Sequence, residues 1–358
     1  ARRGRLLDRA RSSTSLEPVV PSDLGAELRD YQRAGFQWLA RLAHWAPGAC
    51  LCDDMGLGKT VQAIALLLTR RAIGPVLVVA PTSVGFNWVR ELKRFAPSFE
   101  ARLFRGATTP GLFEDLRPGV VLVTNYELLV FYAPAFQGVT WGTLVLDEAQ
   151  AVKNSGTHRA RVAAGLQAEF RLALTGTPIE NRTEELWSLF NTTLPGLLGS
   201  QEGFRERFGS AIERQRSGPA AQALARIVRP FILRRLKGEV ARELPARTDM
   251  NVEVILSAPE QALYARIRRS VLDALAGHSG GNPAQRRFQV LTAMMRLRQA
   301  ACHPRLLDPT SKLGSSKLNA LLEVLGELQE EGHRALVFSQ FTSHLALVRE
   351  ALDARAIT

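Results

Sequence analysis

The sequence predicts an α/β protein whose first part is a parallel β-sheet with helices on both faces. Three observations carry that prediction. Short apolar, β-rich runs alternate with helical patterns through the first 190 residues, the signature of strand–helix–strand units. A glycine loop stands between the first such run and the first long helix. Polar motifs then fall at the carboxyl end of strand after strand, where open parallel sheets build their sites.

The glycine loop is the most informative segment. The apolar run Ala49 to Cys52 feeds DDMGLGKT, Asp53 to Thr60, and a helical stretch follows from Val61 to Leu68. Strand, loop and helix stand in the order a nucleoside triphosphate requires. Gly56 and Gly58 let backbone N–H groups turn toward phosphate oxygens, and the helix N-terminus adds its positive dipole end. In this pattern Lys59 meets the β- and γ-phosphates and the Thr60 hydroxyl sits on Mg²⁺. The phosphate-binding set is therefore Asp54, Met55, Gly56, Leu57, Gly58, Lys59 and Thr60. The usual pattern opens with Gly, and here that position holds Asp53, so the loop is a variant.

The other predicted strands are Val76–Ala80, Val120–Thr124, Leu144–Asp147 and Leu172–Thr175, each ending in a polar motif. Asp147-Glu148 closes an apolar strand. Asp147 is placed to hold Mg²⁺ opposite Thr60, and Glu148 to orient and deprotonate the attacking water. Thr175-Gly176-Thr177 sets two hydroxyls and a tight turn beside the acidic pair, suited to sensing the γ-phosphate. The expected catalytic residues are Lys59, Asp147 and Glu148.

Composition bounds the remainder. The 358 residues suffice for two domains, with 46% apolar and 22% charged residues, the balance of a globular protein. No apolar run reaches the roughly 18 residues of a membrane span, and the basic start ARRGRLLDRARSS lacks the apolar segment of a secretory signal. A location inside the cell follows. The three cysteines lack the second pair that a structural zinc site needs, so they read as packing residues. A net charge of +12 favours an anionic partner, nucleic acid before membrane.

Beyond Ser200 the pattern turns helical and basic to RPFILRRLKGEV, with Arg234, Arg235 and Lys237 either a protruding basic helix or a solvated face. Asn251 to Leu256 alternates like a strand. Helices follow from Pro259 to LRQAACHP, broken by the loop Gly277–Pro283. A linker (Asp308–Ser316), a helix (Lys317–Glu330), a strand (Ala335–Ser339) and another helix complete the chain.

Together with LRDYQ (Leu28–Gln32), the motifs resemble helicase superfamily two, and within it a Swi/Snf-type double-stranded DNA translocase. The distinguishing residues are the loop form DxMGLGKT, APTSVGFNW (Ala80–Trp88), TNYELL (Thr124–Leu129) and LDEAQAVKN (Leu146–Asn154). LTGTPIENRTEELWSLF (Leu174–Phe190), RPFILRR (Arg229–Arg235), LRQAACHP (Leu297–Pro304), SSKL (Ser315–Leu318) and ALVFSQF (Ala335–Phe341) complete the series. The resemblance implies RecA-like P-loop lobes closing on ATP and Mg²⁺, with duplex DNA across them. Its implied organisation is a basic lead (1–25), a first lobe (26–200), a helical protrusion and brace (201–244), a strand and helical insertion (245–310) and the beginning of a second lobe (311–358).

Residue by residue, the resemblance makes Gln32 the adenine-reading glutamine. Gln150, Thr175, Gly176 and Thr177 couple the site to the lobe. Thr82, Asn87, Trp88, Tyr126, Ser339 and Gln340 lie along the DNA backbone, contacts suited to a motor that does not read sequence. Gln150 replaces the His of many members, and a carboxamide donates and accepts hydrogen bonds but does not titrate. The family's second-lobe arginines are missing from the sequence. An arginine finger is worth about 10³–10⁵ in rate in related machines, so this polypeptide is expected to bind ATP and hydrolyse it poorly.

The expected activity is a DNA-dependent ATPase that remodels DNA-bound protein, acting as a monomer and away from membranes. The Arg-rich, Lys-poor composition and the Asp-Glu-Ala-Gln form suggest a bacterial-like member, cytoplasmic at the nucleoid, or nuclear in a eukaryote. Two alternatives stand beside this reading: an RNA or single-strand helicase, and a non-catalytic ATP-gated DNA-binding module.

Overall fold

The protein is described from a computed structural model, which covers residue 13 and residues 15–106, 111–177, 183–209, 211–212, 218–240, 249–276 and 283–355. The chain divides into two compact units, Ala1–Pro245 and Ala246–Thr358.

Continuous apolar runs build the first unit. Its strands are β1 (Gly48–Leu51), β2 (Val76–Val79), β3 (Glu100–Leu103), β4 (Val120–Thr124), β5 (Thr140–Asp147), β6 (Gln167–Leu174) and β7 (Ile232–Leu233). They form one sheet in the order β3-β4-β2-β5-β6-β1-β7, and every pairing is parallel. Every residue of β1, β2 and β4 is buried, so helices cover both faces of the sheet's centre, as all-parallel sheets require. The main helices of this unit are α1 (Asp30–Trp45), α2 (Lys59–Thr69), α3 (Thr82–Phe95), α4 (Tyr126–Phe131), α5 (His158–Gly165), α6 (Thr183–Thr193) and α7 (Pro219–Val228), with α8 (Lys237–Val240) a single turn.

Two strands depart from the sequence expectation. β3 is an edge strand whose Glu100 is exposed; without a continuous apolar run it carries no strong strand signal. Arg102 on it pairs with Glu100 and Asp115, both at 2.6 Å. Ile232–Leu233 lies inside the stretch read as helical and basic, yet it pairs with Cys50 and Leu51 of β1. The region 201–244 is therefore not a wholly separate helical protrusion. The reason is that two apolar residues between arginines are too few to show a period, while the open edge of β1 offers them a ladder.

Free Cys50 and Cys52 are fully buried, as expected of packing residues, and no group of metal-ligating side chains is found among the described residues. No helix among them is long and apolar enough to cross a membrane.

The second unit contains α9 (Ala258–Ala276), α10 (Pro283–Cys302), α11 (Ser316–Glu330) and α12 (Thr342–Ala354). Leu318, Leu322 and Val348 form its small core. Glu260 ties the starts of α9 and α11 together: it accepts from Ser257 N at 2.9 Å and Ser316 N at 3.0 Å, and from both serine hydroxyls. The strands expected at Asn251–Leu256 and Ala335–Ser339 do not form; among the described residues this unit has none. A strand exists only through a ladder partner, and neither segment has one. Leu336 and Phe338 are accordingly 84% and 87% exposed. The lead at residues 1–12, Pro178–Arg182 of the threonine motif and the Gly277–Asn282 part of the predicted loop lie outside the described residues.

Gly35 of α1 shows how tightly the first unit is fitted around its loop. A methyl group there would lie 2.0 Å from Gln62 Oε1 and 2.6 Å from Arg235 Nη2. Gly35→Ala should therefore destabilise by about 1–3 kcal/mol through overpacking, despite alanine's better helix propensity. Urea unfolding reads this directly, and an unchanged midpoint would show that the two side chains give way freely.

Candidate active site

Parallel pairing brings the carboxyl ends of β1, β2, β4, β5, β6 and β7 to one edge, and with them every polar motif of the first unit. A cleft of about 420 Å³ opens there, lined by Met55, Gly56, Gly58, Lys59, Thr60, Val61, Val84, Glu91, Phe95, Asp147 and Glu148. A larger cavity, about 740 Å³, lies elsewhere, between Glu17, Trp45, Pro47, Arg70 and Glu169. It sits at the amino ends of the strands and meets no glycine loop, so the smaller cleft is the chemical one.

Gly56 and Gly58 take φ of 85° and 75°, the left-handed turns that glycine adopts without a Cβ penalty. Helix α2 starts at Lys59 directly behind them. The Lys59 ammonium donates to Asp53 O at 2.7 Å and Asp54 O at 3.3 Å. Gln32, on the first turn of α1, donates through Nε2 to Leu57 O at 3.2 Å, so the glutamine expected to read adenine is fastened to the loop itself.

Asp53, the residue that departs from the usual loop pattern, is completely buried. The Arg235 guanidinium straddles its carboxylate: Nε donates to Oδ1 at 2.9 Å and Nη2 to Oδ2. The same guanidinium donates to Tyr31 O and to Gln62 Oε1, the latter at 2.8 Å, and it lies over the Tyr31 ring. Backbone bonds continue the β1–β7 pairing into the loop, from Cys52 N to Leu233 O at 2.7 Å and from Asp54 N to Arg235 O at 3.0 Å. Sequence reasoning left Arg235 undecided and did not single out Gln62. The available signal was Asp53: an acid between a buried strand and a phosphate loop needs a cation.

Asp147 is held from three sides. Trp88 Nε1 donates to its Oδ2 at 2.7 Å, Glu148 N to its Oδ1 at 2.9 Å, and Tyr126 Oη to its carbonyl at 2.8 Å. Burial pushes its pKa upward, offset by the indole N–H and the Glu148 N–H; the Glu148 charge raises it and Lys59 lowers it. Glu91, which the sequence reading did not select, faces the same cleft. Its pKa is raised by burial first, with Arg90 opposing and the Asp147 charge adding to it.

Trp88 and Tyr126 are thus corrected. Both were expected along DNA, but they are 1% and 6% exposed, and their polar tips are used on Asp147. An indole or phenol ring buries large apolar area while its N–H or O–H finds an internal partner, and sequence does not show which way such a ring turns. Thr82 and Asn87 on α3 are exposed, with Asn87 Oδ1 accepting from Arg90 at 3.2 Å. In the second unit, Ser339 Oγ accepts from Phe341 N at 3.2 Å, and Gln340 Oε1 accepts from Arg298 at 3.4 Å.

Glu148 has φ 46° and ψ 54°, the left-handed conformation without being glycine, which costs roughly 1–2 kcal/mol. Its carboxylate accepts from Gln150 Nε2 at 2.7 Å. Gln150 Oε1 accepts from Thr175 Oγ1 at 2.9 Å, and Thr175 Oγ1 in turn accepts from Thr177 N at 3.1 Å. A continuous hydrogen-bonded chain therefore runs from Glu148 to the turn at Gly176, whose added methyl would meet Met55 Cγ at 3.5 Å.

Comparison with known proteins gives a consistent result. Residues 31–306 match the SNF2-related domain. The chain is 37% identical over 349 residues to a putative ATP-dependent helicase/translocase, YwqA, of Bacillus subtilis, covering 94% of this chain and 37% of that protein. It is 31% identical over 350 residues to the chromatin-remodelling complex ATPase ISW1 of Saccharomyces cerevisiae, covering 92% and 31% respectively. The chain thus spans about a third of the length of these relatives. Among solved structures it resembles the Sulfolobus solfataricus SWI2/SNF2 ATPase core in complex with double-stranded DNA. The TM-score is 0.62 at 32% identity, over 96% of this chain and 73% of that one.

Two outcomes follow from the geometry. Arg235→Met strands the buried Asp53 charge and should cost about 3–5 kcal/mol; adding Asp53→Asn should recover much of it. A double-mutant cycle by chemical denaturation measures the coupling, and additive losses would show that the pair is not coupled. Asp147 has a folded pKa raised above its unfolded value, so its stabilising contribution is present in acid and lost as pH rises through the folded value. Asp147→Asn should therefore raise the unfolding midpoint at neutral pH, with the gain vanishing as the wild-type carboxyl protonates. A gain that stays constant down to acid pH would show that burial of the charge is not its cause.

Proposed function

Because the chain belongs to the SNF2-related family, we propose that it is the ATPase core of a motor that travels along duplex DNA and displaces or remodels bound protein. The observation that supports this most is the single cleft in which Lys59 and Thr60 of the loop face Asp147 and Glu148.

In this reading the loop N–H groups and Lys59 bind the β- and γ-phosphates, and Gln32 orients the adenine from the loop's flank. Thr60 and Asp147 offer the hard oxygen donors that Mg²⁺ takes and would hold the ion, which when bound would neutralise phosphate charge. Glu148 accepts the proton of the water that attacks the γ-phosphorus as the bond to the bridging oxygen breaks. Loss of the γ-phosphate reaches the lobe through Gln150, Thr175 and Thr177, and because Gln150 does not titrate, this position lacks the pH switch a histidine would give. Thr82 and Asn87 in the first unit, with Ser339 and Gln340 in the second, contact DNA phosphates, and residues 311–358 are the beginning of a second RecA-like lobe.

The test is ATP hydrolysis by a protein extended through the second lobe, with no nucleic acid, duplex DNA, single-stranded DNA or duplex RNA. Duplex DNA should stimulate most; stimulation by RNA or single strands above duplex would replace the translocase reading with a helicase. Glu148→Gln should retain ATP binding and lower turnover by about 10²-fold or more, and surviving turnover would mean that another group orients the water. Lys59→Ala should lose affinity for fluorescent ATP, and unchanged affinity would remove Lys59 from the site.

A further inference from the structure

We propose that Lys237 supplies a second ammonium to the phosphate end of the nucleotide, acting on the terminal phosphate from outside the glycine loop. This rests on the ATP-binding reading above.

The segment after β7 runs beside the loop as an extension of the β1–β7 ladder. Asp54 N donates to Arg235 O, and Lys237 N donates to Asp54 Oδ2 at 3.1 Å. That backbone registration carries the Lys237 side chain over Gly56. A methyl group on Gly56 would meet both Cε and Nζ of Lys237 at 3.1 Å, so the ammonium lies against the exposed turn of the loop.

Lys237 Nζ has no hydrogen bond or ion pair among the described residues. The acid nearest in sequence, Glu239, is engaged elsewhere, accepting from Leu236 N at 3.1 Å. Lys59, by contrast, approaches the loop from the start of α2 and rests on the carbonyls of Asp53 and Asp54. The loop is thus flanked by two lysines, one on the helix side and one on the outer turn. The loop N–H groups at Gly58–Thr60 stand at the N-terminus of α2, where its positive dipole end meets the phosphates. The turn at Gly56 is farther from that dipole end, so an ammonium there acts on the phosphate at the chain's far end. A lysine serves phosphate as a flexible point charge, which suits a contact made only when a triphosphate is present.

The experiment is fluorescence titration of ATP and ADP analogues against the full chain carrying Lys237→Ala, Lys237→Arg or no change, with thermal unfolding of each. Lys237→Ala should weaken the triphosphate by about 5- to 10-fold and the diphosphate by less than about 2-fold. Lys237→Arg should recover most of the triphosphate affinity, and all three should unfold alike because the backbone bond to Asp54 is kept. Equal loss for both nucleotides, or no loss for either, overturns the proposal. Absence of binding by the unchanged chain would instead overturn the ATP reading on which it rests.

Discussion

The pairing of buried Asp53 with the half-buried Arg235 is the constraint on which the rest of the site depends. An aspartate stands where phosphate loops usually begin with glycine, and its charge has no access to water. Burial of such a carboxylate is tolerable only with a cation and further hydrogen bonds around it. Arg235 provides both, and its remaining N–H groups tie Tyr31 of α1 and Gln62 of α2 to the same point. Four chain segments thereby meet behind the loop. Buried pairs of this kind add little net stability because desolvation offsets attraction. The gain is in geometry: with its guanidinium fork fixed, β7 is held in register on β1 and the loop has one shape. Gly35 completes the arrangement by leaving room where any side chain would collide.

The acidic end of the cleft shows the opposite balance. Asp147 is kept in the lobe by Trp88, Tyr126 and the Glu148 N–H, yet burial still disfavours its charged form. Glu148 adds a strained backbone, and Glu91 a third half-buried carboxyl whose pKa is raised by burial. Like charges gathered with partial burial destabilise the fold at neutral pH, as is common where a site needs carboxyl groups close together. The sheet's central strands, with β1, β2 and β4 buried on every residue, supply the rigidity that keeps these groups together. Stability and activity are therefore divided between the sheet's interior and its carboxyl edge.

The parts of the site that were legible share one property: their chemistry is local in sequence. Gly56, Gly58, Lys59 and Thr60 act as one loop, and Asp147-Glu148 as one strand end. Groups that act through distant partners were not legible. Arg235 lies 182 residues from Asp53, and nothing in RPFILRR by itself separates a buried clamp from a solvated basic face. Trp88 and Tyr126 were placed along DNA because they match motif positions of the family, whereas their indole and phenol groups turn inward to Asp147. The second unit shows the same limit for backbone. Alternating apolar residues at Asn251–Leu256 and Ala335–Ser339 have strand character, but a strand requires a partner to hydrogen-bond.

By itself, then, the sequence determined the parallel α/β class, the strands with long apolar runs, and the placing of the glycine loop and the acidic pair at strand ends. Those features follow from periodicity, glycine conformation and residues adjacent in the chain. Only the tertiary structure decided that β7 joins the sheet, that Asp53 is neutralised by Arg235, and that Trp88 and Tyr126 hold Asp147 rather than face outward. It likewise decided that Gln150 links Glu148 to Thr175. Each of these depends on which distant groups burial brings within hydrogen-bond reach, and that is a property of the packed sheet and not of any segment in it.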